Sequence, residues 1–155
     1  MEVDKQRTVV ADSFALYQIS TGHTRRGTAM RRAAVEGRLE ILVSTLAFTV
    51  ACAMRSCWDE DCDRGHPDVA GRRIHEFYEQ HGFGVIQPTV AESVAAARLY
   101  SALTDHRVVG PEVLAACSAR LLARTNELPM LSTRRASYCY TRMHPVDEAV
   151  SMELI

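Results

Sequence analysis

Arg7-Thr8-Val9-Val10-Ala11-Asp12-Ser13-Phe14-Ala15-Leu16-Tyr17 is the stretch of sequence that decides the expected fold. The apolar run at residues 8–11 predicts a buried strand, and the apolar segment from Phe14 onward predicts a helix. Asp12 then lies at the carboxyl end of the strand, with Ser13 at the turn. Ligands of open α/β sheets bind at this end of the strands, which makes both residues candidate site residues. The alternative is that they only cap the helix.

Apolar runs and helical patterns alternate along the rest of the chain. Further strands are predicted at residues 39–43, 83–86 and 128–132, and helices at 28–36, 46–54, 68–81, 90–103 and 111–124. Ser44-Thr45, Thr89 with Glu92, and Pro111 supply helix-start signals. Residues 146–155 have too weak a pattern for an assignment. The alternation predicts an α/β fold, a three-layer α/β/α sandwich with a central parallel sheet of about four to five strands.

Length and composition limit the classes of protein. The 155 residues predict one domain, 1–155, and the hydrophobic fraction of 47% is sufficient for a core. A formal net charge of -1 argues against a strongly basic nucleic-acid binder and a polybasic membrane anchor. No apolar run approaches the ~20 residues that span a bilayer. Residues 1–5 lack the apolar core of a signal peptide, so we expect a cytoplasmic protein without a membrane partner.

Arginines cluster between the first two predicted strands. Arg25, Arg26, Arg31 and Arg32 are expected close to the Asp12 end of the sheet. Two interpretations remain open for them. They either steer an RNA backbone or form a solvated helix face.

Three motifs carry a resemblance to a known family. They are Val9-Val10-Ala11-Asp12-Ser13-Phe14-Ala15-Leu16, Ala96-Ala97-Arg98-Leu99-Tyr100 and Leu128-Pro129-Met130-Leu131-Ser132-Thr133. Their order resembles a PIN domain, the nuclease fold of bacterial toxin–antitoxin systems, over roughly residues 8–142. The resemblance implies RNA cleavage with Mg²⁺ or Mn²⁺ held by three or four carboxylates. It also implies a homodimer and an antitoxin as candidate partners.

The carboxylates that the resemblance implies are only partly present. Asp12 matches the first aspartate of the family and is the candidate metal ligand. Residues 49–51, where a glutamate is expected, contain no acid. A further aspartate falls near Gly110, and the nearest acid there is Glu112. The last acid falls at Arg134, which reverses the charge.

Two functions from different classes therefore compete. The first is a degenerate PIN-like protein with a binding or regulatory role, which contacts a protein partner or RNA, with Arg134 and Arg135 as phosphate contacts. The second is an active Mg²⁺- or Mn²⁺-dependent endoribonuclease that uses Asp12 with Glu112 and Asp105. The small number of oxygen ligands favours the first. A third interpretation gives Asp12 only a capping role.

Overall fold

A computed structural model describes residues 5–22, 24–54, 69–104, 109–136, 139–140 and 150–155, without the side chains of residues 69, 104 and 135. In chain order its elements are β1 (Arg7–Ala11), α1 (Ser13–Thr21), α2 (Arg25–Val35), β2 (Leu39–Ser44), α3 (Thr45–Ala53), α4 (Val69–Glu79), β3 (Gly84–Ile86), α5 (Val90–Thr104), α6 (Pro111–Thr125), β4 (Met130–Ser132) and β5 (Met152–Leu154). A 3₁₀ turn, Arg134–Ala136, follows β4.

The five strands form one sheet in the order β3-β2-β1-β4-β5, and every pairing is parallel. The central strand β1 aligns Val9 with Ile41 of β2 and Ala11 with Leu131 of β4. The predicted α/β fold with a central parallel sheet is confirmed. Strand β5 comes from the tail that the sequence pattern left unassigned.

Alternating side chains of the strands supply two cores, one on each face of the sheet. Val9 and Ala11 of β1 pack in a core with residues of α1, α2, α3 and α4. Val10, between them in the sequence, packs in the second core with residues of α5 and α6. Because successive side chains of a strand point to opposite faces, this division places helices on both faces. The result is the predicted three-layer arrangement.

Most predicted helix starts agree with the structure. Ser44 Oγ accepts a hydrogen bond from the Ala47 N–H at 3.2 Å and caps α3. Thr89 Oγ1 accepts one from the Glu92 N–H at 3.1 Å ahead of α5, and Pro111 is the first residue of α6. The two hydroxyl side chains each bind a free N–H group of the first helical turn. Proline suits the first helical position because it has no N–H that needs a partner.

Helix α2 begins earlier than predicted. The predicted helix began at residue 28, but Thr24 caps α2 by accepting a hydrogen bond from the Gly27 N–H at 2.9 Å. A Cβ atom at Gly27 would lie 3.1 Å from the Gln18 carbonyl oxygen of α1. The glycine therefore favours close packing of two helices and does not form a turn.

Glu153 attaches β5 to earlier parts of the chain. Its carboxylate forms ion pairs with Arg7 of β1 and, at 2.8 Å, with Arg26 of α2. Burial acts to raise the pKa of Glu153, but the hydrogen bonds and charges of the two arginines outweigh it, so this pKa is lowered. None of the helices in the described ranges is both long and apolar enough to cross a membrane.

Candidate functional site

Asp12 lies where the sheet changes its winding direction. From β1 the chain builds β2 and β3 on one side, and then β4 and β5 on the other. The crevice at such a switch point is the usual ligand site of open α/β sheets. Asp12 is also the N-cap of α1, and its Oδ1 accepts a hydrogen bond from the Ala15 N–H at 2.7 Å. Both the site position and the capping role that the sequence suggested therefore apply to the same residue.

Two hydroxyl groups from distant parts of the chain bind the other carboxylate oxygen. Tyr140 donates to Asp12 Oδ2 at 2.6 Å, and Ser132, the last residue of β4, donates to the same oxygen. Asp12 and Ser132 have no exposed surface, and Tyr140 is 2% exposed. We call these three residues, together with Ala15, whose N–H binds Oδ1, the Asp12 cluster. It satisfies both carboxylate oxygens with donors from within the protein.

The electrostatics of the Asp12 cluster follow from its burial. Burial raises the pKa of Asp12 above 3.8, although the hydrogen bonds from Ser132, Tyr140 and Ala15 act to lower it. Burial also raises the pKa of Tyr140 well above 10, and the charge of Asp12 acts in the same direction. Tyr140 therefore remains protonated and able to donate near neutral pH. Within the described ranges, the ion pairs do not include Asp12.

Ser13, a predicted binding residue, and Glu112, a predicted catalytic acid, differ in exposure. Ser13 is fully buried at the start of α1, and its Oγ has no hydrogen-bond partner in the described part of the protein. Glu112 lies in the first turn of α6 and is half-buried. A helix N-terminus favours such a carboxylate. Asp105 lies outside the described residues.

The predicted phosphate contacts follow β4. Arg134 begins the 3₁₀ turn and is exposed. The side chain of Arg135 lies outside the described part of the chain. Arg26 and Arg31, which the sequence placed near Asp12, instead contact Glu153 and the Ser20 carbonyl oxygen. Both side chains are thus engaged by groups of the protein other than Asp12.

Comparison with solved structures identifies the fold. The chain is similar to a chain of VapBC2 from Rickettsia felis in a crystal structure with a DNA fragment from the VapBC2 promoter. The TM-score is 0.57 at 8% sequence identity, and the match covers 95% of this chain and 98% of that chain. The chain has a PIN-like fold. No protein-family model and no curated protein matches the sequence. At this identity the likeness shows the fold alone.

The described side chains of this PIN-like chain do not supply the several carboxylate ligands of a typical Mg²⁺ or Mn²⁺ site. Among the residues that the structure describes, no group of three or more His, Cys, Asp or Glu side chains could hold a metal ion. Oδ2 of Asp12 accepts two hydrogen bonds and Oδ1 accepts one, so the described hydrogen bonds occupy three of the roughly four lone-pair sites of the carboxylate. Hard divalent cations need free oxygen ligands and, for Mg²⁺, room for several waters.

A second pair of hydroxyl groups lies at the carboxyl end of the neighbouring strand. Ser118 of α6 donates from Oγ to Ser44 Oγ at 3.0 Å, and both residues are buried. Helix α3, which starts after Ser44, contains no acid, and Val50 and Ala51 on it are buried in the core. Neutral hydroxyls and apolar side chains thus occupy the end of β2 where the family resemblance implies a glutamate.

Sequence reasoning missed Ser132 and Tyr140 as partners of Asp12. A signal for Ser132 was present, since it ends a predicted parallel strand and therefore lies at the same sheet edge as Asp12. Tyr140 had no comparable signal. It is 128 residues from Asp12, and no predicted element fixed its position.

Proposed function

We propose that this PIN-like chain is a binding or regulatory protein whose nuclease site is degenerate, with a protein partner or RNA as its ligand. The observation that supports the proposal is the Asp12 cluster, in which Ala15, Ser132 and Tyr140 donate to a fully buried carboxylate. In this interpretation Asp12 joins β1, α1 and β4 to each other rather than binding a metal ion.

The energetic argument concerns what a metal ion would displace. Binding through Oδ2 requires that the hydroxyls of Ser132 and Tyr140 give up a buried acceptor. Each hydrogen bond to a charged group contributes about 1.5–3 kcal/mol. Mg²⁺ gives up its water shell reluctantly and rarely depends on one carboxylate alone. Because no group of three such ligands lies among the described residues, one buried carboxylate offers little to offset these losses.

The second candidate is an active Mg²⁺- or Mn²⁺-dependent endoribonuclease of the toxin–antitoxin type. One observation favours it. Helix α6 connects to β4 and packs against β1 and β2, so its antiparallel course brings its first turn, with Glu112, toward the edge of the sheet where Asp12 lies. Asp12 and Glu112, together with Asp105, would then be the catalytic acids.

Cleavage assays separate the two candidates. We expect that purified protein with Mg²⁺ or Mn²⁺ cleaves RNA no faster than its Asp12→Asn and Glu112→Gln variants. Asparagine keeps the shape of the side chain, so loss of folding does not confound the comparison. The matched control is Glu76→Gln, an exposed acid on α4. Metal-dependent cleavage that Asp12→Asn abolishes and Glu76→Gln retains would establish the nuclease instead.

Partners of the chain follow from the same proposal. The similar structure is of VapBC2 with DNA, which supports an antitoxin-like protein as a partner of this chain. A homodimer remains part of the proposal. RNA is the alternative partner, with Arg134 and Arg135 as phosphate contacts.

The Arg134→Ala/Arg135→Ala variant tests whether these two arginines contact RNA phosphates. If both arginines contact phosphates of a single strand, the plot of log K against log salt concentration should be less steep for the variant than for the parent protein. The magnitude of its slope should be smaller by about 1.4, which is ~0.7 for each lost contact. Fluorescence anisotropy with a uridine oligonucleotide measures the slope. A slope equal to that of the parent protein shows that neither arginine contacts phosphate.

A further inference from the structure

Helix α2 presents two exposed arginines on one face. Arg25 and Arg32 are seven residues apart, which is nearly two turns, so both side chains leave the helix in almost the same direction about 10 Å apart. Thr28 and Ala29, which lie between them, are also exposed. We call these four residues the α2 face. It carries two cations and no acid.

The other arginines of α2 are engaged within the protein. Arg26 pairs with Glu153 at 2.8 Å. Arg31 donates to the Ser20 carbonyl oxygen at 2.7 Å, and its guanidinium lies 5.4 Å from the centre of the Phe77 ring. By contrast, no carboxylate of the described residues pairs with Arg25 or Arg32. The charge of the α2 face is therefore available to a ligand.

The described acids on and next to α2 do not pair with the α2 face. Helix α2 contains no Asp or Glu, and Glu36, which follows it, forms an ion pair with Arg38. Arg25 also lies in the first turn, where the helix dipole already carries partial positive charge and disfavours a cation. An anion bound from outside would relieve both this repulsion and the unpaired charge.

We propose that the α2 face binds the phosphate backbone of single-stranded nucleic acid. The inference rests on the proposed binding function and names a surface for it that is distinct from Arg134 and Arg135. Two arginines at this separation can contact two phosphates of one strand, and the guanidinium fork matches phosphate geometry. Thr28 and Ala29 offer no large apolar side chain of the kind that anchors a protein interface. The surface therefore suits a phosphate backbone better than an acidic protein.

The test compares two double variants with the same change of charge. Arg25→Ala/Arg32→Ala removes the α2 cations. Arg73→Ala/Arg98→Ala removes two exposed arginines from α4 and α5, which pack on opposite faces of the sheet. The probe is a fluorescent uridine oligonucleotide, and its binding is measured by anisotropy over a range of salt concentrations. EDTA is present throughout, so the result does not depend on whether Asp12 takes part in cleavage. Circular dichroism confirms that each variant is folded.

We expect Arg25→Ala/Arg32→Ala to lower the salt slope by about 1.4, and the control variant to keep the slope of the parent. When the salt concentration rises fourfold, the factor by which affinity falls should then be about seven times smaller for the α2 variant than for the parent protein. An unchanged slope overturns the proposal. So does an equal loss in the control variant, which would indicate a general effect of net charge. Polyglutamate that competes as well as unlabelled oligonucleotide also overturns it, in favour of an acidic protein.

Discussion

Asp12→Ala is expected to lower the free energy of unfolding by about 2–3 kcal/mol, more than the ~1 kcal/mol typical of a lost N-cap. Alanine removes the acceptor of the Ala15 N–H and leaves the hydroxyls of Ser132 and Tyr140 buried without it. Relief of the buried charge offsets part of this loss. Urea unfolding measures the difference. A loss near 1 kcal/mol would mean that Asp12 only caps α1.

Asp12→Asn is the matched variant, and it should remain within about 1 kcal/mol of the parent because asparagine can accept from Ala15 and donate to either hydroxyl. Its effect should depend on pH. The pKa of Asp12 is raised in the folded state, so the native protein holds this proton more tightly than the unfolded chain does. The corresponding stability is fully present below pH 3.8 and is lost as the pH rises through the native pKa. The substituted asparagine cannot titrate, so the variant should gain stability relative to the parent as the pH rises.

Tyr140→Phe is expected to cost about 1.5–3 kcal/mol, because it removes a hydrogen bond to a buried acid while it keeps the aromatic ring. It should also raise the pKa of Asp12 further, since the Tyr140 hydroxyl acts to lower that pKa. Tyr78→Phe is the control. Tyr78 is 48% exposed and packs on Phe83 through its ring, so loss of its hydroxyl should change stability by no more than about 0.5 kcal/mol.

A double-mutant cycle tests whether Tyr140 acts through Asp12. In the Asp12→Asn background, Tyr140→Phe should cost less than it does in the parent, because the acceptor no longer carries a charge. Equal costs in both backgrounds would show that Tyr140 stabilises the fold without coupling to the carboxylate. Equal stability of Tyr140→Phe and the parent would contradict the Asp12 cluster altogether.

The sequence was sufficient for features that local patterns determine. The run before Asp12 predicted β1, and Ser44 and Pro111 predicted the starts of α3 and α6, because caps and apolar runs act over three or four residues. It was insufficient for β5, since Glu153 interrupts the short apolar pattern there, whereas the runs at residues 83–86 and 128–132 contain no charged residue. The start of α2 was misplaced because Gly27 signals a turn, whereas here it permits close helix packing.

For the candidate site, the sequence predicted the position of Asp12 but not its surroundings. Its position follows from one strand and the general geometry of parallel sheets. Its surroundings depend on contacts with Ser132 and Tyr140, which are 120 and 128 residues away. No local pattern encodes such contacts. The missing acids on α3 and the arginine at 134 suggested a degenerate site, but only the structure reveals which groups bind the remaining carboxylate.

The claim that Asp12 is a buried structural acid rather than a metal ligand is tested most directly by its own titration. The carboxyl ¹³C signal of Asp12, assigned by its absence in Asp12→Asn, is followed against pH with and without millimolar Mg²⁺. We predict a pKa above 3.8 that Mg²⁺ leaves unchanged. A bound cation favours the charged form of a carboxylate, so a pKa that falls when Mg²⁺ is added would contradict the account.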